Sequence, residues 1–191
     1  EKYLSYATAD SAGYSPLQCA IHAENIQDVQ TLLAIYDQQN TLKQELAYVN
    51  EGLPSEAIRY TEETPLVIAL KNTALFQMIF TILKDRFQTL LFEQITRVDA
   101  DGDTLLHTLV EFGRVEPLTL LVKHAAQNQV MRAALIEASK KRNTLYQETP
   151  LDIAEHFNAS PTMQALRAAG IKNLNPSLAK LNQIKEILKA L

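Results

Sequence analysis

The run Asp99-Ala100-Asp101-Gly102-Asp103-Thr104 has the residue types and spacing most suggestive of chemistry in this sequence. Alternating carboxylates bind calcium in EF-hand loops, but such a loop needs glycine at its sixth position and glutamate at its twelfth. Thr104 and Val110 occupy those positions here. A phosphatase of the Asp-x-Asp-Gly-Thr type needs a parallel strand before the motif, whereas the surrounding pattern is helical. We therefore predict a boundary between structural repeats, with Thr104 capping the next helix.

A cysteine and a histidine are the other candidate pair. Cys19 lies three residues before His22 on a predicted helix, but a thiolate–imidazole pair also needs a third group that orients the imidazole. Cys19 lies beside the predicted core residue Ala20, where a buried, unreactive thiol is usual. Zinc-ligand spacing does not occur among the four histidines, which are His22, His107, His124 and His156. Phosphate-loop, Gly-x-Ser-x-Gly and metalloprotease motifs do not occur either, so we predict no enzyme, cofactor or metal.

The composition favours a helical intracellular protein. Hydrophobic residues make up 47% of the 191 residues, and only five are glycine. A net charge of −4 argues against bulk attraction to nucleic acid or anionic membranes, and no apolar run reaches the roughly 18–20 residues that span a bilayer. A single cysteine cannot form an internal disulfide, which fits the cytoplasm. Because the sequence starts at Glu1 with no leader, we expect it to belong to a longer protein.

Four copies of a short motif organise the chain. They are Ser15-Pro16-Leu17, Thr64-Pro65-Leu66, Thr104-Leu105-Leu106 and Thr149-Pro150-Leu151. The hydroxyl can accept a backbone N–H at a helix start, proline suits the first helical position, and the leucine faces the core. A break and a second apolar helix follow each first helix. The predicted pairs are 16–23 and 28–35, 65–71 and 75–83, 105–112 and 116–123, and 150–157 and 161–168.

The stretches between the copies are also predicted to be helical. The motifs begin 49, 40 and 45 residues apart, and the extra length lies in Gln38–Ile58, Asp85–Ile95 and Ala125–Lys141. Apolar residues recur there at helical spacing, so each stretch lengthens the second helix or adds a short one. The segment 174–191 is predicted to be a helix that caps the stack or links it to a following domain.

The third copy, Asp101-Gly102-Asp103-Thr104-Leu105-Leu106-His107 followed by Gly113, resembles the ankyrin-repeat family. The family pattern is Gly-x-Thr-Pro-Leu-His-x-Ala-Ala-x-x-Gly, and its histidine ties neighbouring loops together by hydrogen bonds. The resemblance implies an all-α fold, an ankyrin-type helical-hairpin solenoid with lengthened helical inserts between repeats. The four repeats would span about 11–58, 59–98, 99–143 and 144–173, within a domain at 1–173.

The resemblance implies a protein–protein interaction module, and two alternatives stay open beside it. The 101–104 and 142–150 stretches look like the corresponding part of IκB-type inhibitors, which implies inhibition of a transcription factor. Irregular repeats with helical inserts look like those of secreted bacterial effectors. That likeness implies a targeting domain whose catalytic part lies elsewhere in a larger enzyme, acting in the host cytosol.

Ankyrin-type stacks bind partners on their concave side, through residues that flank the motif turn and the exposed side of the first helix. Carried over to this sequence, the partner-binding positions are Tyr14, His22, Ala23, Tyr60, Glu63, Lys71, Asn72, Asp101, Asp103, Glu111, Phe112, Tyr146, Glu148, His156 and Phe157. Large aromatic residues in every repeat are candidate binding anchors. Carboxylates dominate the charge of this strip, so we expect a partner with a basic, partly apolar segment.

Overall fold

The structure is a computed structural model that describes residues 13–49, 63–111, 114–144 and 147–156, with the backbone alone at 111, 115 and 154–156. Every regular element in these ranges is helical. The helices are α1 (Pro16–His22), α2 (Ile26–Gln38), α3 (Leu42–Ala47), α4 (Pro65–Ile68), α5 (Thr73–Arg86), α6 (Gln88–Thr96), α7 (Leu105–Glu111), α8 (Val115–Ala125), α9 (Gln129–Lys140) and α10 (Pro150–His156). Across these same ranges, no helix combines the length and apolar character needed to cross a membrane.

Two compact units divide the chain, Glu1–Leu90 and Leu91–Leu191. In the first unit, α1 packs against α2 and also against α4, the first helix of the next copy. The insert helix α3 packs against both α2 and α4. The core comes from the apolar faces of these helices and includes Leu17, Ile21, Val29, Tyr36, Leu46, Leu66, Leu75 and Ile79, all fully buried. A hairpin with one apolar face is therefore covered by its neighbour, as stacking requires.

Motif hydroxyls cap the first helices in this unit. Ser15 Oγ accepts the Gln18 N–H at 3.3 Å, and Thr64 Oγ1 accepts the Val67 N–H at 3.3 Å. Each hydroxyl satisfies one of the backbone donors that a helix start leaves unpaired. The predicted caps at these two positions are confirmed. Helix α4 is shorter than predicted, because its last turn tightens into a 3-10 helix at Ala69–Lys71.

Side-chain contacts in the first unit join residues one repeat apart. The pairs Tyr14–Glu63, His22–Lys71 and Asp37–Arg86 are each separated by 49 residues. The motifs at Ser15 and Thr64 are also 49 residues apart. Equivalent positions of two hairpins therefore lie side by side, over a stretch that runs from before α1 to the end of α2. Such a match requires the second hairpin to repeat the path of the first.

In the second unit, α7 packs most extensively against α10, the first helix of the following copy. The remaining contacts join α8 to α7 and α9, and α9 to α7 and α10. The buried apolar residues described in this unit are Leu91, Ile95, Leu105, Leu106, Leu109, Val110, Leu118, Leu121, Ala125, Met131, Ala134, Leu135, Ala138 and Ile153. The arrangement of first helices is the same as that of α1 and α4 in the other unit.

The helix predictions hold where the structure describes the chain, with one departure in the core. Each stretch between the copies contains a separate helix, α3, α6 or α9, as predicted. Leu151 is half-buried, whereas the leucines at the equivalent positions 17, 66 and 106 are buried. Pro150 and Ile153 fill the buried positions of α10 instead. The predicted helices 161–168 and 174–191 lie outside the described residues.

Candidate functional site

The loops before the first helices share one backbone feature. Where the structure describes it, the residue two positions before the motif hydroxyl has positive φ: Gly13 at 84°, Gly102 at 78° and Gln147 at 56°. The residue between this left-handed residue and the hydroxyl is Tyr14, Asp103 or Glu148, and all three are predicted partner-binding positions. Each of the three is half-buried.

The acidic run is a folded turn, as its interpretation as a repeat boundary predicts. Asp99 Oδ1 accepts the backbone N–H groups of Asp101 and Asp103, both at 2.9 Å. The Asp101 carbonyl in turn accepts the Thr144 N–H at 2.7 Å and the Thr144 hydroxyl at 2.8 Å. Burial raises the pKa of Asp99, while the hydrogen bonds from the backbone oppose that shift. The Asp99 carboxylate thus holds the turn together, and no group of described residues could hold a metal ion.

Four predicted residues of the first two repeats form a continuous chain of contacts, which we call the Tyr14 cluster: Tyr14, His22, Glu63 and Lys71. The Tyr14 hydroxyl donates to Glu63 Oε2 at 3.1 Å. The rings of Tyr14 and His22 meet edge to face with centroids 5.2 Å apart. Lys71 Nζ lies 3.1 Å from His22 Nε2, so the ammonium donates to an unprotonated imidazole nitrogen. A carboxylate, a phenol, an imidazole and an ammonium are thus held next to one another, with His22 and Lys71 exposed.

Asn72 is also a predicted partner-binding residue, but its side chain has structural bonds. Its Oδ1 accepts the N–H groups of Ala74 at 3.0 Å and Leu75 at 3.3 Å, so it caps α5. Its Nδ2 donates to Glu24 Oε2 at 3.0 Å, across the two repeats. Asn72 therefore helps to fix the turn beside the Tyr14 cluster.

The described candidate residues of the second unit lie on the loop before α7 and on the loop between α9 and α10. Thr144 of the second loop bonds to the Asp101 carbonyl of the first. Glu148 donates its N–H to Asn143 Oδ1, and its carbonyl accepts the Asn143 N–H, both at 3.0 Å. Glu148 is half-exposed. Asp103 Oδ1 is buried and accepts no hydrogen bond from the described residues. Hydrogen bonds between Asn143 and the Glu148 backbone thus fix the loop between α9 and α10.

Of the other candidate positions, Ala23 is exposed at the C-cap of α1, and the rest lie wholly or partly outside the description. Tyr60, Phe112, Tyr146 and Phe157 lie outside the described residues, and only the backbone is described at Glu111 and His156. Tyr14 is thus the described member of the five predicted aromatic anchors. Cys19 is half-buried rather than fully buried as expected, because its Sγ faces the loop before α1, where it donates to the Tyr14 carbonyl at 3.8 Å.

Gln18 links α1 to the loop of the next copy, a structural role that the sequence interpretation missed. Its Oε1 accepts the Ser15 N–H at 2.9 Å, and its Nε2 donates to the Glu63 carbonyl at 2.8 Å. One buried amide therefore caps α1 and ties it to the loop of the next repeat. The spacing Ser-x-x-Gln is a known capping-box signature and could have revealed the first bond. The second bond spans 45 residues, and no local pattern reports it.

His107 makes the same two bonds in the second unit. Its Nδ1 accepts the Thr104 N–H at 3.0 Å, and its Nε2 lies 3.1 Å from the Glu148 carbonyl. Gln18 and His107 each lie three residues after the motif hydroxyl and bond to the carbonyl just before the next one. We call this pair of hydrogen bonds from one side chain the inter-repeat clamp. The structural role predicted for His107 is confirmed, and the clamp marks equivalent positions in the two units.

Comparison with known proteins adds no relative: no protein-family model matches the chain, and no curated protein matches it. The ankyrin resemblance therefore stays a prediction.

Proposed function

We propose that this chain is an ankyrin-type helical-repeat module that binds a partner protein through the loops and exposed ends of its first helices. The observation that carries the proposal is the Tyr14 cluster. Sequence projection selected Tyr14, His22, Glu63 and Lys71 independently, and their side chains contact one another across two repeats. Scattered surface residues rarely form such a prearranged set, and prearrangement lowers the entropy lost on binding.

The solenoid itself is supported by repetition within each unit. Contacts between residues 49 apart relate the first two hairpins. The clamp recurs with the same offset, from Gln18 to the residue before Thr64 and from His107 to the residue before Thr149. Because stacked equivalent hairpins leave their loop sides free, each unit presents a row of equivalent side chains from its own hairpins to a partner.

Charge on that row favours a basic partner. The residue directly before the motif hydroxyl is Tyr14, Glu63, Asp103 and Glu148 in the four copies. Three of these are carboxylates, each at the same place in its repeat. Carboxylates at these positions attract Lys and Arg of a partner to the loop side of each unit. We infer that the partner segment is basic and carries apolar residues that contact the aromatic anchors.

The test is a selection from a random peptide library on the immobilised protein, followed by affinity measurements with the enriched peptides. We expect enriched sequences to carry Lys or Arg together with apolar residues. Glu63→Lys should weaken their binding at least tenfold, about 1.4 kcal/mol, because it reverses one carboxylate of the row.

Asp85→Lys is the matched control. Asp85 is exposed near the C-terminal end of α5, and its replacement makes the same change in net charge. Binding to this variant should equal that of the unmodified protein, with both variants checked for helix content by circular dichroism. Peptides without net positive charge, or equal binding to both lysine variants, would contradict the proposal.

A further inference from the structure

We propose that the clamp at His107 makes the junction between the third and fourth hairpins sensitive to acid, whereas the Gln18 clamp adds no acid sensitivity to the junction between the first two. The two clamps have the same geometry but different chemistry. An amide has no proton to gain near neutral pH, while an imidazole gains one close to it.

The hydrogen bonds fix the state of the His107 ring. The Thr104 backbone N–H can only donate, so Nδ1, 3.0 Å away, must be an unprotonated acceptor. The Glu148 carbonyl can only accept, so Nε2, at 3.1 Å, carries the hydrogen. Protonation of Nδ1 would point an N–H group at the Thr104 N–H. The Thr104 hydroxyl, 2.9 Å from Nδ1, can turn to accept that proton, but the backbone N–H cannot turn away.

Burial and neighbouring charges act on the ring in opposite directions. The His107 side chain has 0% exposure, which disfavours a charged imidazolium. The carboxylates of Asp103 and Asp99 favour the charged form, as do the backbone acceptors of Glu148 and Lys141. Burial is the largest effect, and the pKa of His107 is therefore lowered. Those four groups lie before α7, after α9 and before α10.

The sign of the pH dependence follows from this lowered pKa. Above the unfolded-state pKa of about 6.5, the ring is neutral in both the folded and the unfolded chain, and the clamp contributes its full stability. As the pH falls below that value, the unfolded chain takes up the proton first, so stability is lost. The loss continues until the pH passes the lower folded-state value, where the protonated ring no longer accepts the Thr104 N–H.

His107→Gln is the direct test, because Gln18 shows that glutamine can form both bonds at this position. The protection factors of the Thr104 and Ile153 amides are measured by hydrogen exchange at pH 7.5 and pH 5.0. The protection in the unmodified protein should fall at least tenfold more than in His107→Gln. An equal fall in the two proteins would overturn the proposal.

Two further measurements keep the proposal testable if His107→Gln folds poorly. Gln18→His should transfer the acid sensitivity to the first junction, read out at the amide of Ile68. On the unmodified protein, long-range 15N–1H correlation spectra should show His107 hydrogen on Nε2 alone at pH 7.5. A hydrogen on Nδ1 at that pH, or a Gln18→His variant whose Ile68 protection changes with pH as in the unmodified protein, would rule the mechanism out.

Discussion

At the residue scale, some non-glycine residues adopt a left-handed backbone conformation that is unfavourable for them. Gln147 has φ of 56° and Glu24 has φ of 54°, in the left-handed region that glycine adopts most readily. Glu24 ends α1 with two bonds, from its own N–H to the Ile21 carbonyl and from the Asn25 N–H to the Ala20 carbonyl. This is the Schellman arrangement, in which glycine is the usual residue.

Replacing Gln147 by glycine should stabilise the protein by about 1 kcal/mol, because a residue with a Cβ pays roughly that much to adopt left-handed backbone. Its side chain donates one exposed bond to the Thr144 carbonyl at 3.2 Å, whose loss offsets little of the gain. The measurement is the midpoint of urea unfolding at neutral pH.

The reverse exchange serves as the control for this prediction. An alanine Cβ at Gly102 would lie 2.9 Å from the Thr144 backbone nitrogen, and φ there is 78°. Gly102→Ala should therefore destabilise the protein by about 2 kcal/mol or more. Equal midpoints for the two variants would show that the left-handed position does not control stability.

Glu45 is a second residue whose charge opposes the fold. Burial raises the pKa of Glu45, and its Oε2 is buried without a hydrogen bond from the described residues. For an acid with a raised folded-state pKa, the folded chain binds more protons, so stability falls as the pH rises past about 4.3.

Glu45→Gln should accordingly raise the free energy of unfolding at pH 7 by about 1 kcal/mol, because it removes the buried charge and keeps the shape. The gain should shrink at pH 4, where the carboxyl is largely neutral. Urea unfolding at the two pH values measures both quantities, and a gain of the same size at each would refute the electrostatic cause.

At the element scale, first helices are set by reciprocal caps. In α10, Thr149 Oγ1 accepts the Asp152 N–H at 3.2 Å, and Asp152 Oδ2 accepts the Thr149 N–H at 2.8 Å. The same two-way pattern occurs at Ser15 with Gln18. In α4, the third position is Val67, which has no group to return the bond. The start of α4 therefore depends on Thr64 alone among side-chain caps.

Gln18→Leu should destabilise the protein by about 2 kcal/mol or more, since it leaves the Ser15 N–H and the Glu63 carbonyl without their buried partner. Ser15→Ala should cost less, about 1 kcal/mol, because it removes only the cap. Thermal and urea unfolding of both variants give the comparison. A smaller loss for Gln18→Leu than for Ser15→Ala would mean that the bond to Glu63 contributes nothing.

The sequence predicted the elements better than the bonds between them. Motif hydroxyls and periodic apolar residues are local signals, so the first and second helices of the copies could be placed, and the stretches between copies could be predicted to be helical. Those signals do not decide whether these stretches lengthen the second helix or form separate helices. The Gln18 clamp and the contacts at a spacing of 49 residues are not local. They depend on which carbonyl or side chain the next hairpin brings close. The structural use of Asn72 was missed for a related reason, since an asparagine before a helix serves as a cap or as a binding residue equally well.

At the scale of the whole molecule, the negative charge of each unit would attract basic groups of a partner. The chain has 22 acidic and 18 basic residues, so the proposed row adds to a modest overall negative charge. Exposed charges act over about 10 Å at 0.1 M salt and about 3 Å at 1 M. The row should therefore attract basic peptides through several carboxylates at low salt and through few at high salt.

The affinity of selected basic peptides should fall at least tenfold between 0.05 M and 0.5 M salt, mainly through slower association. Fluorescence anisotropy and stopped-flow mixing measure the two quantities. Because Glu63→Lys removes negative charge, the peptide affinity of that variant should depend less steeply on the salt concentration. A salt-independent affinity would leave apolar contact as the source of binding.

The clamp receives its bond on a main-chain carbonyl, at Glu63 in one junction and at Glu148 in the other. Every amino acid has that oxygen, so no substitution at the receiving position can delete the acceptor. Mutation can remove this bond only through the single donor residue or through the path of the loop. Neighbouring hairpins can consequently diverge in sequence, and in length from 49 to 45 residues, while keeping the same mutual register.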